Sequence, residues 1–418
     1  MLDVAIVGAG VSGLVCALEL SRRGLSVLVL EAEEQVGGRM RTDRIRGFLL
    51  DRGFQVLLTA YPEARRYLDY EALNLKNFLP GALVRVGEQF HEIADPVREV
   101  SSAIESAFAP IGTFADKLRT VRLRAALKKK SLEQIAHSPE TTTAKYLEEQ
   151  GFSEGMIARF FRPFFGGIFL ERNLNTSSRK FEFVFRMFSE GFAAVPAGGM
   201  QMIPEQIAGR LPDGTIRIGT RVAKIAPNWV QLADGERIHC RAVVAAVDGR
   251  AITNLMPQIP AIATVATTCL YFVAPHPPVN KAMLVLNGNG EGLINHVAVM
   301  SNVAPTYARL GEALISVTLV GTHRAEDKEL EPLVRSQLEG WFGPEVRDWS
   351  LLATYRIENA LPLQTPDFVL KVPDGPAIAG IFTAGDYREN ASTNGAMKSG
   401  RLVAEAVLDH LGVTVPVA

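Results

Sequence analysis

Residues 2–13 have the sequence Leu-Asp-Val-Ala-Ile-Val-Gly-Ala-Gly-Val-Ser-Gly, and this stretch decides the fold. Its first half is a short run of apolar β-forming residues, which is typical of a strand buried in a parallel sheet. Residues 11–23 place apolar side chains at helical spacing, and we expect that helix to stop at Gly24. Residues 26–30, Ser-Val-Leu-Val-Leu, predict a second buried strand. Together they predict a βαβ unit with two parallel strands.

Three glycines, Gly8, Gly10 and Gly13, have the spacing G-x-G-x-x-G between the first strand and the helix. In such a loop the first glycine permits a tight turn, the second lets a pyrophosphate approach the backbone, and the third lets helix and strand pack closely. The helix N-terminus offers free N–H groups to the phosphates. Glu31 ends the second strand, where a carboxylate accepts hydrogen bonds from a ribose diol and repels the extra phosphate of NADP. The sequence therefore predicts a site for NAD or FAD.

The composition is that of an ordinary globular protein long enough for two domains, with 418 residues, 47% of them hydrophobic and 21% charged. A net charge of −1 gives no reason to expect a nucleic-acid partner. The histidines show no metal-ligand spacing, so we expect no metal site. We interpret Cys16, Cys240 and Cys269 as core residues in a reducing compartment. Because we find neither a signal peptide nor a run of about 18 apolar residues, we expect a cytoplasmic protein.

The rest of the chain predicts a cofactor domain in three pieces, interrupted by a second domain that binds substrate. Strand patterns occur at 215–225, 229–232, 236–247, 264–273, 283–286, 313–320 and 378–384, and helical patterns at 114–137, 329–342 and 394–411. We assign residues 1–85, 193–265 and 355–418 to the cofactor domain, and residues 86–192 and 266–354 to the substrate domain. A further glycine cluster at 288–292 has the wrong spacing for a phosphate loop, so we interpret it as a turn.

Residues 31–42, Glu-Ala-Glu-Glu-Gln-Val-Gly-Gly-Arg-Met-Arg-Thr, extend the glycine loop. This segment resembles the signature of the flavin-dependent amine oxidoreductase superfamily, which includes amine oxidases, protoporphyrinogen oxidases and carotenoid- and squalene-type desaturases. The resemblance implies FAD as the cofactor, and an α/β fold with a discontinuous Rossmann-type FAD-binding domain and an inserted α+β substrate domain. The residues agree, because Gly37 and Gly38 let the backbone approach a ligand and Arg39 can neutralise a pyrophosphate.

Three further segments carry the resemblance along the chain. Residues 50–55 resemble the stretch that runs beneath the flavin ring, and residues 195–200 with 218–222 resemble the second cofactor segment, in which the backbone at Val222 would hold the adenine. Residues 382–400 resemble the terminal flavin-binding motif. The predicted cofactor-binding residues are Gly8, Ala9, Gly10, Ser12, Gly13, Glu31, Ala32, Gly38, Arg39, Gly53, Phe54, Gln55, Val222, Gly385, Asp386, Asn394, Gly395 and Ala396.

Two departures from the family pattern bear on the substrate. Amine oxidases of this family typically carry a lysine near flavin N5, but the corresponding strand at 266–272 has threonine, and no lysine lies between Lys224 and Lys281. The paired tyrosines that amine oxidases have near the C-terminus are also not evident, since only Tyr387 follows Gly385-Asp386. Both departures favour desaturases and protoporphyrinogen-oxidase-like members, which act on hydrophobic substrates.

We therefore predict an FAD-dependent oxidoreductase that dehydrogenates a hydrophobic, for example isoprenoid, substrate by hydride transfer to flavin N5, with oxygen or a quinone as the electron acceptor. Two alternatives stay open: a protoporphyrinogen-oxidase-like or amine oxidase that uses oxygen, and a non-redox flavin-dependent isomerase. The sequence does not select a catalytic residue among Arg162, Tyr271, His296 and Tyr387.

Two segments have competing interpretations. The aromatic residues of 159–170, Arg-Phe-Phe-Arg-Pro-Phe-Phe-Gly-Gly-Ile-Phe-Leu, either line an apolar tunnel or belong to the core. The basic run at 117–130 is interleaved with apolar residues. It is either a solvated helix face or a peripheral contact with anionic lipid.

Overall fold

The structure is a computed structural model that describes residues 1–94, 109–366, 368, 378 and 380–413. The parts of the predicted domains at 95–108, 367, 369–377, 379 and 414–418 lie outside the described residues.

The strands are β1 (Leu2–Val7), β2 (Val27–Leu30), β3 (Thr42–Ile45), β4 (Phe48–Asp51), β5 (Leu57–Leu58), β6 (Leu75–Asn77), β7 (Gly81–Val86), β8 (Gln89–Ala94), β9 (Ala193–Pro196), β10 (Ile216–Arg217), β11 (Val222–Ala226), β12 (Trp229–Leu232), β13 (Arg237–Ala245), β14 (Thr264–Ala274), β15 (Leu284–Asn287), β16 (Ile294–Val299), β17 (Ala313–Val320), β18 (Ser350–Pro362) and β19 (Ile381–Thr383). The helices are α1 (Val11–Arg22), α2 (Pro62–Tyr67), α3 (Phe114–Lys129), α4 (Leu132–Ala136), α5 (Thr143–Glu149), α6 (Glu154–Met156), α7 (Arg162–Phe169), α8 (Ser178–Glu190), α9 (Met202–Ala208), α10 (Gly249–Leu255), α11 (Met300–Val303), α12 (Asp327–Phe342) and α13 (Thr393–His410). A π-helical segment, Ile157–Phe161, joins α6 to α7, and short 3₁₀ helices lie at Pro305–Tyr307, Pro344–Asp348 and Asp386–Arg388.

The predicted βαβ unit is confirmed, since β1 and β2 are parallel neighbours and α1 connects them. They belong to a parallel array in the order β10, β2, β1, β13 and β19, which β12 and β11 extend antiparallel from the first half of β13. Both faces of β1 are covered: Val4 and Ile6 belong to the same core cluster as α1, and Ala5 packs in a second cluster with Ile252 of α10. This burial explains the continuous apolar run in the sequence.

The second sheet has the order β18, β14, β17, β16, β15, β7 and β8, and it is antiparallel except between β15 and β7. One face packs against α12, where Leu270 and Val317 meet Val334. The opposite face, with Cys269 and Leu286, turns towards the main core. The predicted strands at 264–273, 283–286 and 313–320 all lie in this sheet, whereas its members β7, β8, β16 and β18 were not predicted.

Two predicted elements are each divided in two. The strand predicted at 215–225 is wrong as a single strand, because Gly219 adopts a positive φ of 60° and separates β10, which pairs with β2, from β11, which pairs with β12. The helix predicted at 114–137 ends at Lys129, and Ser131 begins α4 by accepting the N–H of Gln134 with its side chain. The cluster at 288–292 lies between β15 and β16, and its first residues form the predicted turn.

The hydrogen bonds of β7 bear on one predicted domain boundary. The cofactor domain was predicted to extend to residue 85, yet β7 pairs with β15 in the second sheet. The division into domains stays a prediction. The three cysteines are buried and free, as expected for small core residues.

Candidate functional site

The glycine loop follows β1 and is built by close backbone approach. Gly8 has a φ of 104°, which strongly favours glycine. A Cβ on Gly13 would lie 2.1 Å from the carbonyl oxygen of Gly8, so that only glycine fits where α1 returns over the loop. A Cβ on Gly10, in contrast, would meet nothing within 4 Å, and Gly10 lines a cavity. Gly10 therefore leaves space that a ligand can fill, whereas Gly13 closes the loop itself.

Glu31 supports the same loop from the end of β2. One carboxylate oxygen, Oε2, accepts the N–H of Ala9 at 2.7 Å, and the other, Oε1, accepts the N–H of Glu33 at 2.9 Å. The residue is buried apart from 7% of its surface, and it lines the cavity. Because each carboxylate oxygen has a further lone pair, Glu31 can hold the loop and still accept a ribose hydroxyl.

The second glycine segment packs directly on the first. The N–H of Gly37 donates to the carbonyl oxygen of Ala9 at 2.8 Å, and a Cβ on Gly38 would lie 3.5 Å from Cα of Gly10. The Arg39 side chain that follows donates to Asp386 Oδ1 at 2.6 Å and to the carbonyl oxygen of Ala360 at 2.7 Å. This ion pair joins the first segment of the chain to the C-terminal motif.

The segment after β4 packs against β18 of the second sheet. Gly53 has a φ of 84°, and a Cβ there would lie 2.7 Å from Cδ1 of Ile357 on β18. Gln55 is fixed by donating to the carbonyl oxygens of Arg39 at 2.9 Å and Arg52 at 3.1 Å. These contacts hold residues 53–55 at the cavity, and their position beneath the flavin ring stays a prediction.

The C-terminal motif divides into cavity-lining and supporting residues. Gly385 and Ala396 line the cavity. Asn394 does not; its side-chain oxygen accepts the N–H of Glu63 at 3.0 Å and anchors α13 to α2. A Cβ on Gly395 would lie 1.8 Å from the carbonyl oxygen of Asn390, which makes glycine necessary for the turn.

Most of the predicted cofactor-binding residues line one cavity of 840 Å³. Those that line it are Gly8, Gly10, Ser12, Glu31, Ala32, Gly38, Arg39, Gly53, Phe54, Gln55, Val222, Gly385, Asp386 and Ala396. The others, Ala9, Gly13, Asn394 and Gly395, pack behind this lining. We call the part around the glycine loop the glycine end.

The glycine end fits a dinucleotide. The first helical hydrogen bond of α1 runs from the N–H of Leu14 to Gly10, so the N–H groups before Leu14 have no partner within the helix. Arg39 supplies a cation, Glu31 supplies an acceptor, and Gly10 leaves the backbone accessible. These are the donor, charge and acceptor that a pyrophosphate with an attached ribose requires.

The opposite part of the cavity, which we call the apolar end, is formed by α7, the second sheet and Phe54. Its lining residues are Phe54, Phe164, Gly167, Ile168, Leu170, Phe188, Thr267, Leu284 and His296. The rings of Phe164 and Phe188 lie 5.2 Å apart, and Phe54 meets His296 edge-on at 4.9 Å. None of these side chains carries a permanent charge.

The aromatic segment at 159–170 supports both of its interpretations. Phe164 lines the cavity, whereas Phe161, Phe165 and Phe169 are at least 98% buried in the core. The ring of Phe165 lies 4.7 Å from that of Phe181 on α8. Side chains on one face of α7 thus line the cavity, and those on another face pack in the core.

On β14, Thr267 is the threonine that faces the cavity. It lines the apolar end, and its hydroxyl donates to the carbonyl oxygen of Leu319 at 3.0 Å. Thr268 points elsewhere and donates to the carbonyl oxygen of Gly321. The position where sequence comparison expects a lysine is therefore occupied by a short side chain whose hydroxyl is already engaged.

Of the four candidate catalytic residues, His296 is the one that lines the cavity. Tyr271 is buried and donates to the backbone oxygen of Asp51 at 2.8 Å. Arg162 is exposed, and Tyr387 is buried behind the lining. Burial lowers the pKa of His296 to about 4, so its imidazole is neutral near pH 7.

Two buried ionisable residues were not predicted. Asp51 lies at the end of β4, and burial raises its pKa to about 6 despite hydrogen bonds from Thr42, Met200 and Tyr307. Burial lowers the pKa of Lys180 to about 8, against the opposing fields of Asp386 and Glu171. Asp51 lies in the segment 50–55 that resembles the flavin-binding stretch, whereas Lys180 lies in no motif. The burial of both residues depends on tertiary packing, which the sequence pattern does not show.

Comparison with protein families gives a match over nearly the whole chain. The model for flavin containing amine oxidoreductases matches residues 11–408. Protoporphyrinogen oxidase 2, chloroplastic/mitochondrial, from Arabidopsis thaliana is 31% identical over 169 residues, which is 39% of this chain and 32% of that protein. The hydroxysqualene dehydroxylase of Rhodopseudomonas palustris is 44% identical over 66 residues, covering 15% of this chain and 16% of that protein. The chain thus spans about a third of the length of the first of these relatives.

Solved structures share the fold over almost every residue. An oxidoreductase from Methanosarcina mazei superposes with a TM-score of 0.76 at 16% identity, covering 97% of this chain and 100% of that one. Cyclohexylamine oxidase from Brevibacterium oxydans superposes with a TM-score of 0.72 at 18% identity, covering 98% and 99%. At such identities the likeness establishes the fold and not the substrate.

Proposed function

The chain belongs to the flavin-containing amine oxidoreductase family, and from this premise we propose that it dehydrogenates an uncharged hydrophobic substrate held at the apolar end of the cavity. Membership of the family confirms the predicted FAD cofactor, the α/β fold class and the assignment as an FAD-dependent oxidoreductase. The roles of the individual cofactor-binding residues stay predictions.

The character of the apolar end carries this proposal. Its lining is aromatic and aliphatic, and its one titratable side chain among the residues named above, His296, is neutral near pH 7. A substrate ammonium group would lose its hydration there without a carboxylate partner, which is strongly unfavourable. An isoprenoid or another uncharged apolar compound would instead gain from the transfer out of water.

The chain's own residues would align the substrate and keep water away. When bound, FAD supplies the acceptor for a hydride from a substrate carbon. Phe164 and Phe188 shape the space for that carbon, and Thr267 leaves room where a lysine would fill it. Residues 53–55 line the same cavity, and Phe54 borders this space beside His296.

A second candidate is oxidation of a porphyrinogen with oxygen as the acceptor. The similarity to the plant protoporphyrinogen oxidase, 31% over 169 residues, supports it. The macrocycle of such a substrate is largely apolar and suits the same lining, but its carboxylate side chains would have to lie outside the apolar end. The two candidates differ in substrate shape and in where the electrons go.

The test is anaerobic reduction of the bound flavin. The FAD-loaded protein is mixed without oxygen with a panel that contains isoprenoid polyenes, a porphyrinogen and hydrophobic amines, and the visible flavin absorption is followed. We expect an isoprenoid to bleach it faster than any amine of matched size. If only amines bleach the flavin, the proposal is wrong. A compound that is converted without bleaching would indicate the isomerase alternative.

The reduced protein is then used to identify the electron acceptor. Oxygen and a soluble quinone are added separately, and re-oxidation of the flavin and formation of peroxide are measured. Rapid re-oxidation by oxygen with stoichiometric peroxide would favour the second candidate. Preference for the quinone supports the desaturase.

We also propose that α3 makes peripheral contact with an anionic membrane surface. Its exposed face carries Phe114, Leu118 and Val121, which are 77%, 44% and 41% exposed. Arg122 and Lys128 are exposed beside them. An apolar stripe flanked by cations suits the interface of an anionic bilayer. No helix in the described ranges is long and apolar enough to cross a membrane.

Not every residue of the basic run serves that surface. Arg119 pairs with Asp116 within α3 at 3.3 Å, and Lys130, just after α3, pairs with Glu182 of α8 at 2.8 Å. Both cations are therefore engaged by carboxylates, and the second pair joins the end of α3 to α8. The membrane contact is tested by flotation with vesicles of phosphatidylcholine alone or mixed with phosphatidylserine. We expect binding to the mixed vesicles only, and its loss in Leu118→Glu. Leu333→Glu on α12, where the leucine is 60% exposed, is the matched control and should still bind. Equal binding by both variants would contradict the proposal.

A further inference from the structure

His296 lies on β16 and faces the apolar end of the cavity. It is 3% exposed, and it pairs across the sheet with Thr318 of β17 and Leu286 of β15. Its ring meets Phe54 edge-on, with centroids 4.9 Å apart and planes at 69°. The imidazole is therefore held between the second sheet and the segment that the sequence places beneath the flavin ring.

The neighbouring Asn295 fixes which imidazole nitrogen carries the proton. Its Nδ2 donates to the carbonyl oxygen of Pro163 at 2.9 Å, and a carbonyl oxygen can only accept, so the amide nitrogen must lie on this side. The same Nδ2 lies 3.0 Å from Nδ1 of His296 and has a second hydrogen to donate. Nδ1 must then accept, and in a neutral imidazole the proton is on Nε2.

Gly167 allows α7 to pack on this pair. A Cβ there would lie 2.8 Å from Nδ2 of Asn295 and 2.9 Å from Nδ1 of His296. A larger residue would push the ring out of its position. The helix, the amide and the imidazole thus form one fitted unit at the wall of the cavity.

The other imidazole nitrogen, Nε2, is buried and has no hydrogen-bond partner among the residues that the structure describes. A buried donor without a partner is unfavourable, and folded proteins rarely retain one without a reason. Because His296 lines the cavity, a molecule bound at the apolar end is in a position to supply the missing acceptor.

We propose that His296, held by Asn295 in its Nε2–H form, donates a hydrogen bond to an uncharged oxygen acceptor on an otherwise apolar substrate. This inference rests on the proposed function in one respect, namely that the apolar end holds the substrate. It narrows the substrate class from any hydrophobic compound to one with a carbonyl, ether or hydroxyl oxygen. His296 contacts the substrate, whereas Asn295 is a positioning residue.

The first experiment measures binding of two probes of the same shape. Acetophenone has a ketone oxygen where α-methylstyrene has a methylene group, and the shift of the flavin absorption spectrum reports the Kd of each in the FAD-loaded protein. We expect the preference for acetophenone over α-methylstyrene to fall about tenfold in His296→Phe, because the variant cannot form the hydrogen bond to the ketone oxygen. His296→Gln, which keeps an amide donor, should recover part of it. An unchanged preference in His296→Phe would overturn the proposal.

His323→Phe is the matched control, because His323 lies outside the cavity lining, and it should leave the preference unchanged. Each variant is first checked for its FAD content and melting temperature. The outcome separates this inference from the proposed function. If an isoprenoid bleaches the flavin but the probe preference does not depend on His296, the inference alone fails. If no substrate bleaches the flavin and the preference does depend on His296, the proposed function alone fails.

The second experiment observes the tautomer directly, without any ligand. In protein labelled with ¹⁵N-histidine, long-range ¹H–¹⁵N spectra at neutral pH should show a His296 signal with the proton on Nε2, assigned by its absence in His296→Phe. In Asn295→Asp the carboxylate would accept from Nδ1, so the proton should move to Nδ1 and the acetophenone preference should fall. A wild-type signal with the proton on Nδ1 would refute the role of Asn295.

Discussion

The glycine end and the apolar end of the cavity are built by different means. At the glycine end the ligand space exists because side chains are missing from the backbone. A Cβ on Gly10 would meet nothing within 4 Å, and the nearby Gly8 and Gly37 adopt φ values of 104° and 119°, which favour glycine. At the apolar end the space is shaped by large side chains such as Phe164 and Phe188. One end therefore presents backbone to its ligand, and the other presents side chains.

This difference governs what each end can recognise. Backbone N–H groups and a helix N-terminus suit a pyrophosphate, which every FAD carries in the same form. Aromatic side chains are selected by the shape of one substrate and can change without altering the backbone. Family resemblance consequently identifies the ligand of the glycine end, but it leaves the ligand of the apolar end open.

We expect the largest effect on FAD binding at Gly10, where the absence of a side chain leaves the backbone accessible to the ligand. Gly10→Val should abolish retention of FAD during purification, because a Cβ at Gly10 meets no protein atom within 4 Å and the new side chain would occupy the space left for the pyrophosphate. The FAD content and the Kd of added FAD are measured, together with the melting temperature of the FAD-free protein. We expect at least a hundredfold rise in Kd, which is about 2.7 kcal/mol, and an unchanged melting temperature.

Gly340→Val on α12 is the control for that prediction. A Cβ at Gly340 also meets nothing within 4 Å, yet it lies outside the cavity lining, so FAD binding should be unaffected. Wild-type affinity in Gly10→Val would remove the contrast between the two ends, since the glycine would then serve the loop and not the ligand.

Neighbouring aromatic residues at the apolar end provide the next test. Phe165→Ala should lower the free energy of unfolding by about 3–5 kcal/mol, because the ring is 1% exposed and its removal leaves a core cavity. Phe164→Ala should cost only about 1 kcal/mol, since that ring borders an existing cavity. Chemical denaturation measures both values.

For the rate of flavin reduction the order should be reversed, with the larger effect in Phe164→Ala and the smaller in Phe165→Ala. Phe164→Ala is expected to change the rate at which a hydrophobic substrate bleaches the flavin while leaving the FAD content intact. Phe165→Ala, at temperatures where it stays folded, should bleach like the wild type. If Phe165→Ala changed the rate more than Phe164→Ala, the division of this segment into cavity and core residues would be wrong.

The two ends also differed in how far the sequence revealed them. Gly8, Gly10, Glu31 and Arg39 were predicted and line the cavity, because short contiguous motifs encode contacts between neighbouring backbone segments. Asn394 was predicted to bind the cofactor as part of the C-terminal motif, but it anchors α13 to α2 instead. Resemblance within a motif thus located the segment correctly without distinguishing ligand contacts from supporting ones.

The apolar end could not be assembled in this way. The role that we propose for His296 depends on its contacts with Asn295 and Phe54. Asn295 in turn contacts Pro163, which is distant in the sequence. These contacts depend on the register of β16 within the second sheet, and β16 itself was not predicted. The division of residues 215–225 has a similar cause, since Gly219 turns between two strands that join different neighbours. Long-range pairing of this kind leaves no periodic pattern in the sequence.

The last effect depends on pH and concerns Asp51, which joins β4 to β3, to the residues before α9 and to the 3₁₀ helix Pro305–Tyr307. Its carboxylate accepts from Thr42 at 2.6 Å and from the N–H of Met200 at 2.9 Å on one side, and from Tyr307 at 3.0 Å on the other. Burial nevertheless raises its pKa from 3.8 to about 6. The folded protein therefore binds more protons than the unfolded chain between about pH 4 and pH 6, and stability must fall as the pH rises through this window.

Asp51→Asn removes that titration and keeps one carbonyl oxygen for Thr42 and Met200. Subtracting the pH profile of the variant from that of the wild type should show a wild-type loss of at most about 3 kcal/mol between pH 4 and pH 7, since each pKa unit corresponds to 1.36 kcal/mol. Asp43→Asn is the control of opposite sign: burial raises the pKa of Asp43, but hydrogen bonds from Arg52 and Tyr355 outweigh it and leave the pKa lowered. A flat difference profile for Asp51→Asn would mean that its three hydrogen bonds offset the burial completely. The contacts of Asp51 with Thr42, Met200 and Tyr307 would then be equally stable whether or not this carboxyl group is protonated.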